Sequence, residues 1–343
     1  MVTEIEPPVT SKKVIVITLT FSLGLLVTII VCLFWGTAHI SPHQLFSIII
    51  QREKINDPSV QILFNLRLPR ILFAGIVGYA LALGGVVFQA LLRNPLADPF
   101  ILGVSSGAGF GAVVAIMLGL GFHLGVPILA FIGATLSIIT VMLIGRKEMG
   151  TESSTILLSG VIVNAFLTAV IMFFISTSPD SRLHSMLFWL YGDLSQAKYW
   201  PMSFLVPILL VGSFIIYSYA RHLNIITVGE DVALHLGVDV QKTIWFNILL
   251  VSFLIGAVVS FSGLIGFVGL LVPHLLRMLF GSDHRILIPA ASLGGAIFMV
   301  IADTIARTII SPNELPVGVV TAFAGAPFFI YLLKTRGSRW VRS

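Results

Sequence analysis

The residues of this chain that could do chemistry are few, and most lie inside or at the ends of apolar runs: Gln89, Asn164, His274, Asp303, Arg307 and Glu314. Polar groups placed there are costly in hydrocarbon, so they face protein, water or one another. Asp303 and Arg307 stand four apart, which on a helix puts them on one face and permits a local ion pair. Arg67 and Arg70 flank Pro69 at the start of a long apolar run, with no acidic residue near them in sequence. Guanidiniums so placed either reach out to lipid phosphates or offer forked contacts to carboxylates. Gln89 and Asn164 suit interhelical hydrogen bonds or contacts to a substrate. His274, directly after Pro273, suits a helix-terminus contact better than a proton relay.

Several chemistries are missing. No G-x-x-x-x-G-K-[ST] phosphate loop or H-E-x-x-H pair occurs in the sequence, so the motifs for cradling ATP and ligating zinc are not visible. His39 and His43 flank Pro42 and belong to a loop. The single cysteine, Cys32, rules out an intrachain disulfide and a cysteine-built metal site, and reads as a packing residue. We expect no enzymatic activity, cofactor or resident metal; any ATP is expected to be hydrolysed by a partner.

The elements that must position these residues are membrane spans. Of the 343 residues 57% are hydrophobic and 10% charged, and the mean hydropathy is +1.03; a water-soluble domain of this length needs far more charge. Apolar runs fall near 14–35, 66–92, 100–121, 126–145, 155–176, 201–220, 243–262, 264–280, 286–308 and 317–335. Runs of this kind cross a hydrocarbon core of about 30 Å. The stretch 243–280 carries no charge except Arg277, and as one helix it would extend about 57 Å, so a turn is expected at Ser262 and Gly263. The uncharged stretch after Lys12 and Lys13 is longer than a secretory h-region of about 7–15 residues and reads as an uncleaved first span. The fold class is therefore all-α integral membrane, with about ten helices.

The net charge of +5 reflects basic residues scattered singly or in pairs between apolar runs, as membrane-lipid anchors rather than a nucleic-acid patch. With the N-terminus inside, seven basic residues face outward (Arg52, Lys54, Arg67, Arg70, Arg182, Lys198 and Arg307) and the other thirteen face the cytoplasm. The positive-inside rule then places both termini in the cytoplasm, with 51–57 and 178–198 outside. The outer connection Thr177–Trp200 alternates Leu183, Met186, Leu187 and Leu190 with polar residues, as an amphipathic helix lying at the interface would. The inner connection Arg221–Lys242 is expected to hold a short helix from Gly229 to Leu236 and to serve as a docking segment. Its Gly229, Glu230 and Asp231 form an acidic helix start.

Gly103, Gly107 and Gly111 recur every fourth residue, either to let helices approach closely or to line a moving pathway. GGVVFQALLR (Gly84–Arg93) and GFVGLLVPHLLR (Gly266–Arg277) share a Gly-rich start and a terminal arginine, a faint sign of two related halves.

The segments RLPR (Arg67–Arg70), GGVVFQALLRNPLADPFILGVSSGA (Gly84–Ala108), LNIITVGEDVALHLGV (Leu223–Val238), GLIGFVGLLVPHLLR (Gly263–Arg277) and ELPVGVVTAFAGAPFFIYLL (Glu314–Leu333) together resemble the FecCD-type permeases, importers of ferric siderophores, haem or cobalamin. The resemblance runs from about residue 60 to 335. It implies one transmembrane permease domain over 1–343, with a cytoplasmic tail at 1–13 and a coupling segment at 221–242. It also implies a second permease subunit, as homodimer or related heterodimer, two cytoplasmic ABC ATPase subunits and an extracytoplasmic chelate-binding protein. Carried over by motif, Arg67, Arg70 and Arg307 would dock the binding protein. Gly229, Glu230 and Asp231 would couple to the ATPases, and Asn94, Leu96, Ser153 and Ser154 would form a cytoplasmic gate. The rival class is an ion-coupled secondary transporter, which calls for paired acidic residues at mid-membrane; only Asp303 comes near. A purely structural membrane protein would need neither the Gly-rich faces nor the long inner segment.

Overall fold

The computed structural model describes residues 9–36, 58–145, 153–178 and 180–340. His39, His43 and the expected outer loop 51–57 lie outside them. All regular structure among the described residues is helical. We number the helices α1 (Ser11–Phe34), α2 (Leu68–Leu91), α3 (Val104–Met117), α4 (Gly125–Gly145), α5 (Ser153–Thr177), α6 (Asp180–Leu190), α7 (Tyr199–Ser218), α8 (Ala220–Val228), α9 (Glu230–His235), α10 (Val240–Ser262), α11 (Val268–Phe280), α12 (His284–Thr308) and α13 (Val317–Trp340). A helical turn Pro58–Gln61 and a π-helical turn Ile62–Arg67 lead into α2.

Each of the ten apolar runs coincides with one helix. Seven are long and apolar enough to cross a membrane, while Val104–Met117, Val268–Phe280 and Val317–Leu332 are shorter apolar helices. Two of these begin late because the backbone breaks before them. Gly103 (φ 84°) follows the 3-10 turn Pro99–Leu102 and opens α3, and the expected break after Ser262 is real, with Gly263 at φ 69° and Phe267 at φ 68° before α11 begins.

Helix α2 is apolar all round and almost wholly buried, as a helix enclosed by others must be. It packs against α12, α11 and α10. The approach is backbone to backbone: a Cβ on Gly78 would overlap the carbonyl oxygen of Gly295, and one on Gly85 would overlap that of Gly269. The Gly103–Gly111 face is likewise a packing face. Added Cβ atoms at Gly107 and Gly111 would overlap the carbonyls of Gly133 and Leu129 on α4. The two similar Gly-rich segments also lie side by side, joined at Gly85–Gly269 and by Arg277 Nη2 donating to Gln89 Oε1 at 2.9 Å. Helix α6 forms where the amphipathic helix was expected, and it buries Met186 and Trp189 in protein. The Trp189 carbonyl accepts the Leu264 N–H at 3.3 Å, the Tyr191 carbonyl accepts the Gly318 N–H at 3.0 Å, and the Ser262 carbonyl accepts the Asp193 N–H at 2.9 Å. Three loops are thereby fastened at one end of the bundle.

Candidate functional site

The charged groups gather at two opposite ends. At the end holding Arg182 and Lys198, Arg70 projects from the first turn of α2 into a buried carboxylate cluster. Its Nε donates to Asp303 Oδ1 at 2.9 Å and its Nη1 to Glu314 Oε2 at 2.7 Å. Arg307 Nε lies 3.0 Å from Asp303 Oδ2, yet that pair lacks hydrogen-bond directionality. It is a charge contact, and the directed bond of Arg307 runs from Nη2 to Thr304 Oγ1 at 3.2 Å. Arg67 Nη1 donates to the Leu33 carbonyl at 2.7 Å, tying α2 to the end of α1.

The three guanidiniums therefore do not stand open to solvent. Arg67, Arg70 and Arg307 are buried, with Arg70 and Arg307 side chains only 10% and 8% exposed. The cause is invisible in sequence, since Arg70 meets its two carboxylates across 233 and 244 residues of chain. The local Asp303–Arg307 pair, read from spacing alone, is present.

At the other end, Arg93 closes α2 with φ 46°, an uncommon left-handed conformation for a residue with a Cβ. Its Nη2 donates to Glu230 Oε1 at 2.8 Å, so the first residue of α9 is tied to the end of α2. The short helix expected from Gly229 to Leu236 is α9, Glu230–His235; α8 before it was not foreseen. Ala220, Leu223 and Ile226 bury its apolar side, and Asn224 Nδ2 donates to Asp283 Oδ1 at 3.0 Å. Burial works to raise the Asp283 carboxyl, but hydrogen bonds from Arg285 and Asn224 outweigh it and hold the group at about 2.

Beside the Arg93 end is a cavity of about 340 Å³ lined by Leu96, Asp98, Ser105, Asn164, Phe267 and Leu270, among others. Asn94 Oδ1 accepts the N–H of Leu96, one of the lining residues, at 2.9 Å. Asp98 caps the 3-10 turn by accepting the Phe100 N–H at 2.8 Å, while burial raises its carboxyl to about 6. Asn164 faces this cavity. Gln89 is instead an interhelical bonder, its Nε2 donating to the Gly269 carbonyl at 3.3 Å. Ser153 and Ser154 begin α5, and 146–152 lie outside the described residues. His274 is buried against Phe328 and Phe329, with centroid distances of 6.2 and 6.0 Å, rather than at a helix terminus. Asp98 and Phe267 escaped the reading of the sequence, which marked Arg93 only as the terminal arginine of a Gly-rich segment. A glycine-rich break, GLIGFVG, was the one signal near Phe267.

A bundle of apolar helices around a buried central one, with ion pairs gathered toward its two ends and a cavity beside one of them, is the build of a polytopic membrane transporter subunit. The sequence profile of the FecCD transport family matches residues 24–335, and the chain belongs to that family. The cobalamin import system permease protein BtuC of Halobacterium salinarum is 44% identical over 275 residues, covering 80% of this chain and 74% of that protein. The hemin transport system permease protein HmuU of Yersinia pestis is 38% identical over 319 residues, covering 91% and 94%. A solved inward-facing structure of an ABC transporter of the metal-chelate type superposes with a TM-score of 0.82 at 34% identity, covering 93% of this chain and 98% of that one. The chain is thus a multi-pass permease subunit of the cytoplasmic membrane, a component of an ABC transporter.

Proposed function

We propose that this permease imports a metal chelate by alternating access, powered by two cytoplasmic ATPase subunits and supplied by an extracytoplasmic chelate-binding protein. Relatives named for cobalamin and hemin support the substrate class. The observation that carries the ATP-driven reading is the α8–α9 segment, packed on the bundle end and joined by Glu230 to Arg93, next to the loop that bears Asn94 and Leu96. Gly229, Glu230 and Asp231 take the push from an ATPase, and the Arg93 tie passes it to the gate formed with Ser153 and Ser154. A second permease subunit covers the apolar faces of α5 and α13, where Phe166, Phe173 and Phe323 are exposed. Asp303, held between two arginines, is ill suited to the reversible ion binding of a secondary transporter. Both termini are cytoplasmic, and the Arg67, Arg70 and Arg307 end receives the binding protein.

The test is reconstitution in liposomes, measuring uptake of cobalamin and hemin with and without the ATPase subunits and ATP. Uptake that requires both supports the proposal. Uptake by the chain alone under an ion gradient would overturn it.

A further inference from the structure

The buried cluster at Arg70 holds two carboxylates of unlike standing. Asp303 is fully buried and contacts two guanidiniums, so it is a fixed part of the bundle. Glu314 belongs to the loop between α12 and α13, keeps 39% of its side chain exposed, and pairs with Arg70 Nη1 at 2.7 Å. Arg67, Arg70 and Arg307 bring three positive charges against the two negative charges of Asp303 and Glu314. Turning Glu314 to solvent removes one negative charge from the group.

We propose that Glu314 is a displaceable internal carboxylate, occupying the place on Arg70 that a carboxylate of the binding protein takes when it docks. The inference rests on the docking role proposed above and adds its regulation. Arg70 is buried, so an incoming acidic side chain reaches it by exchange with Glu314, while Asp303 keeps the guanidinium oriented through Nε. A guanidinium fork suits this exchange, because its several N–H donors hold one carboxylate while releasing another. Glu314 then disfavours contact with surfaces that lack a well-placed acid, since removing Glu314 without replacement leaves a desolvated cation short of its partner. The released Glu314 frees the loop leading into α13, whose first residues hydrogen-bond to the carbonyls of Gly192 and Tyr191.

The experiment measures binding-protein affinity for the complete transporter in nanodiscs at low and high salt, for wild type, Glu314→Gln, and Arg70→Met combined with Glu314→Gln. The double variant removes one charge of each sign and leaves Asp303 beside Arg307, and its unfolding is measured alongside to separate lost binding from lost fold. Glu314→Gln removes the internal competitor and is expected to tighten binding about two- to five-fold, the scale on which an ion pair of this exposure competes, with a steeper salt dependence. The double variant is expected to weaken binding at least ten-fold relative to Glu314→Gln. If the double variant binds like Glu314→Gln, the docking role of Arg70 fails. If the double variant loses binding but Glu314→Gln binds no tighter than wild type, docking stands and the exchange is refuted.

Discussion

Asp303→Asn tests the electrostatic logic of the buried cluster. The carboxylate is fully buried, 2.9 Å from Arg70 Nε and 3.0 Å from Arg307 Nε. The amide keeps the volume and one acceptor but removes the charge that both guanidiniums were desolvated to meet. Breaking a buried pair while leaving its partner in place costs about 3–5 kcal/mol, most of it from the orphaned charge. Arg70 retains Glu314, whereas Arg307 loses its contacting carboxylate, so the lower end, about 3 kcal/mol, is expected. Adding Arg307→Met removes the orphan and should recover about 1–3 kcal/mol of that loss. Glu314→Gln should cost no more than about 1 kcal/mol, because its carboxylate remains partly solvated. Reversible unfolding in mixed micelles, followed by tryptophan fluorescence, gives these differences. A cost below about 1 kcal/mol for Asp303→Asn, or an Arg307→Met change that adds to it, would show that the arginines are not held by Asp303.

Four further outcomes are expected. Glu230→Arg or Arg93→Glu should abolish most binding-protein-stimulated ATP hydrolysis, while the charge-swapped pair restores it; this half-exposed pair contributes under about 1 kcal/mol to stability, so unfolding should barely change. Gly85→Ala forces α2 away from the Gly269 carbonyl and should cost about 1–3 kcal/mol in the same unfolding assay, whereas Gly121→Ala, which meets nothing within 4 Å, should be near neutral. Asp98, with its folded-state value raised to about 6, binds more protons folded than unfolded between about pH 4 and 6, so its contribution makes the protein more stable as pH falls through that window. Asp98→Asn keeps the cap, and a pH titration of unfolding should show that slope flattened. In a Cys32→Ser background, cysteines placed at Ser153 and Lys198 should label from opposite sides of the membrane with an impermeant reagent.

Composition and run length alone determined that this chain is a helical membrane protein, because an apolar run of span length has no other way to satisfy its backbone in lipid. The ten runs, the break at Ser262–Gly263, the Asp303–Arg307 pair and the short helix after Gly229 are local facts, written in hydropathy, glycine and four-residue spacing. Only the tertiary structure decided which polar groups meet. Arg70 finds Asp303 and Glu314, Arg93 finds Glu230, and Arg277 finds Gln89, each across more than 130 residues. No local pattern encodes such pairings. They follow from which helices pack together, and that is set by glycines such as Gly78 and Gly85, whose missing Cβ atoms admit a neighbouring backbone. Sequence marked the Gly84–Arg93 segment and Arg70 as special; the packing made Arg70 a buried partner rather than an open one.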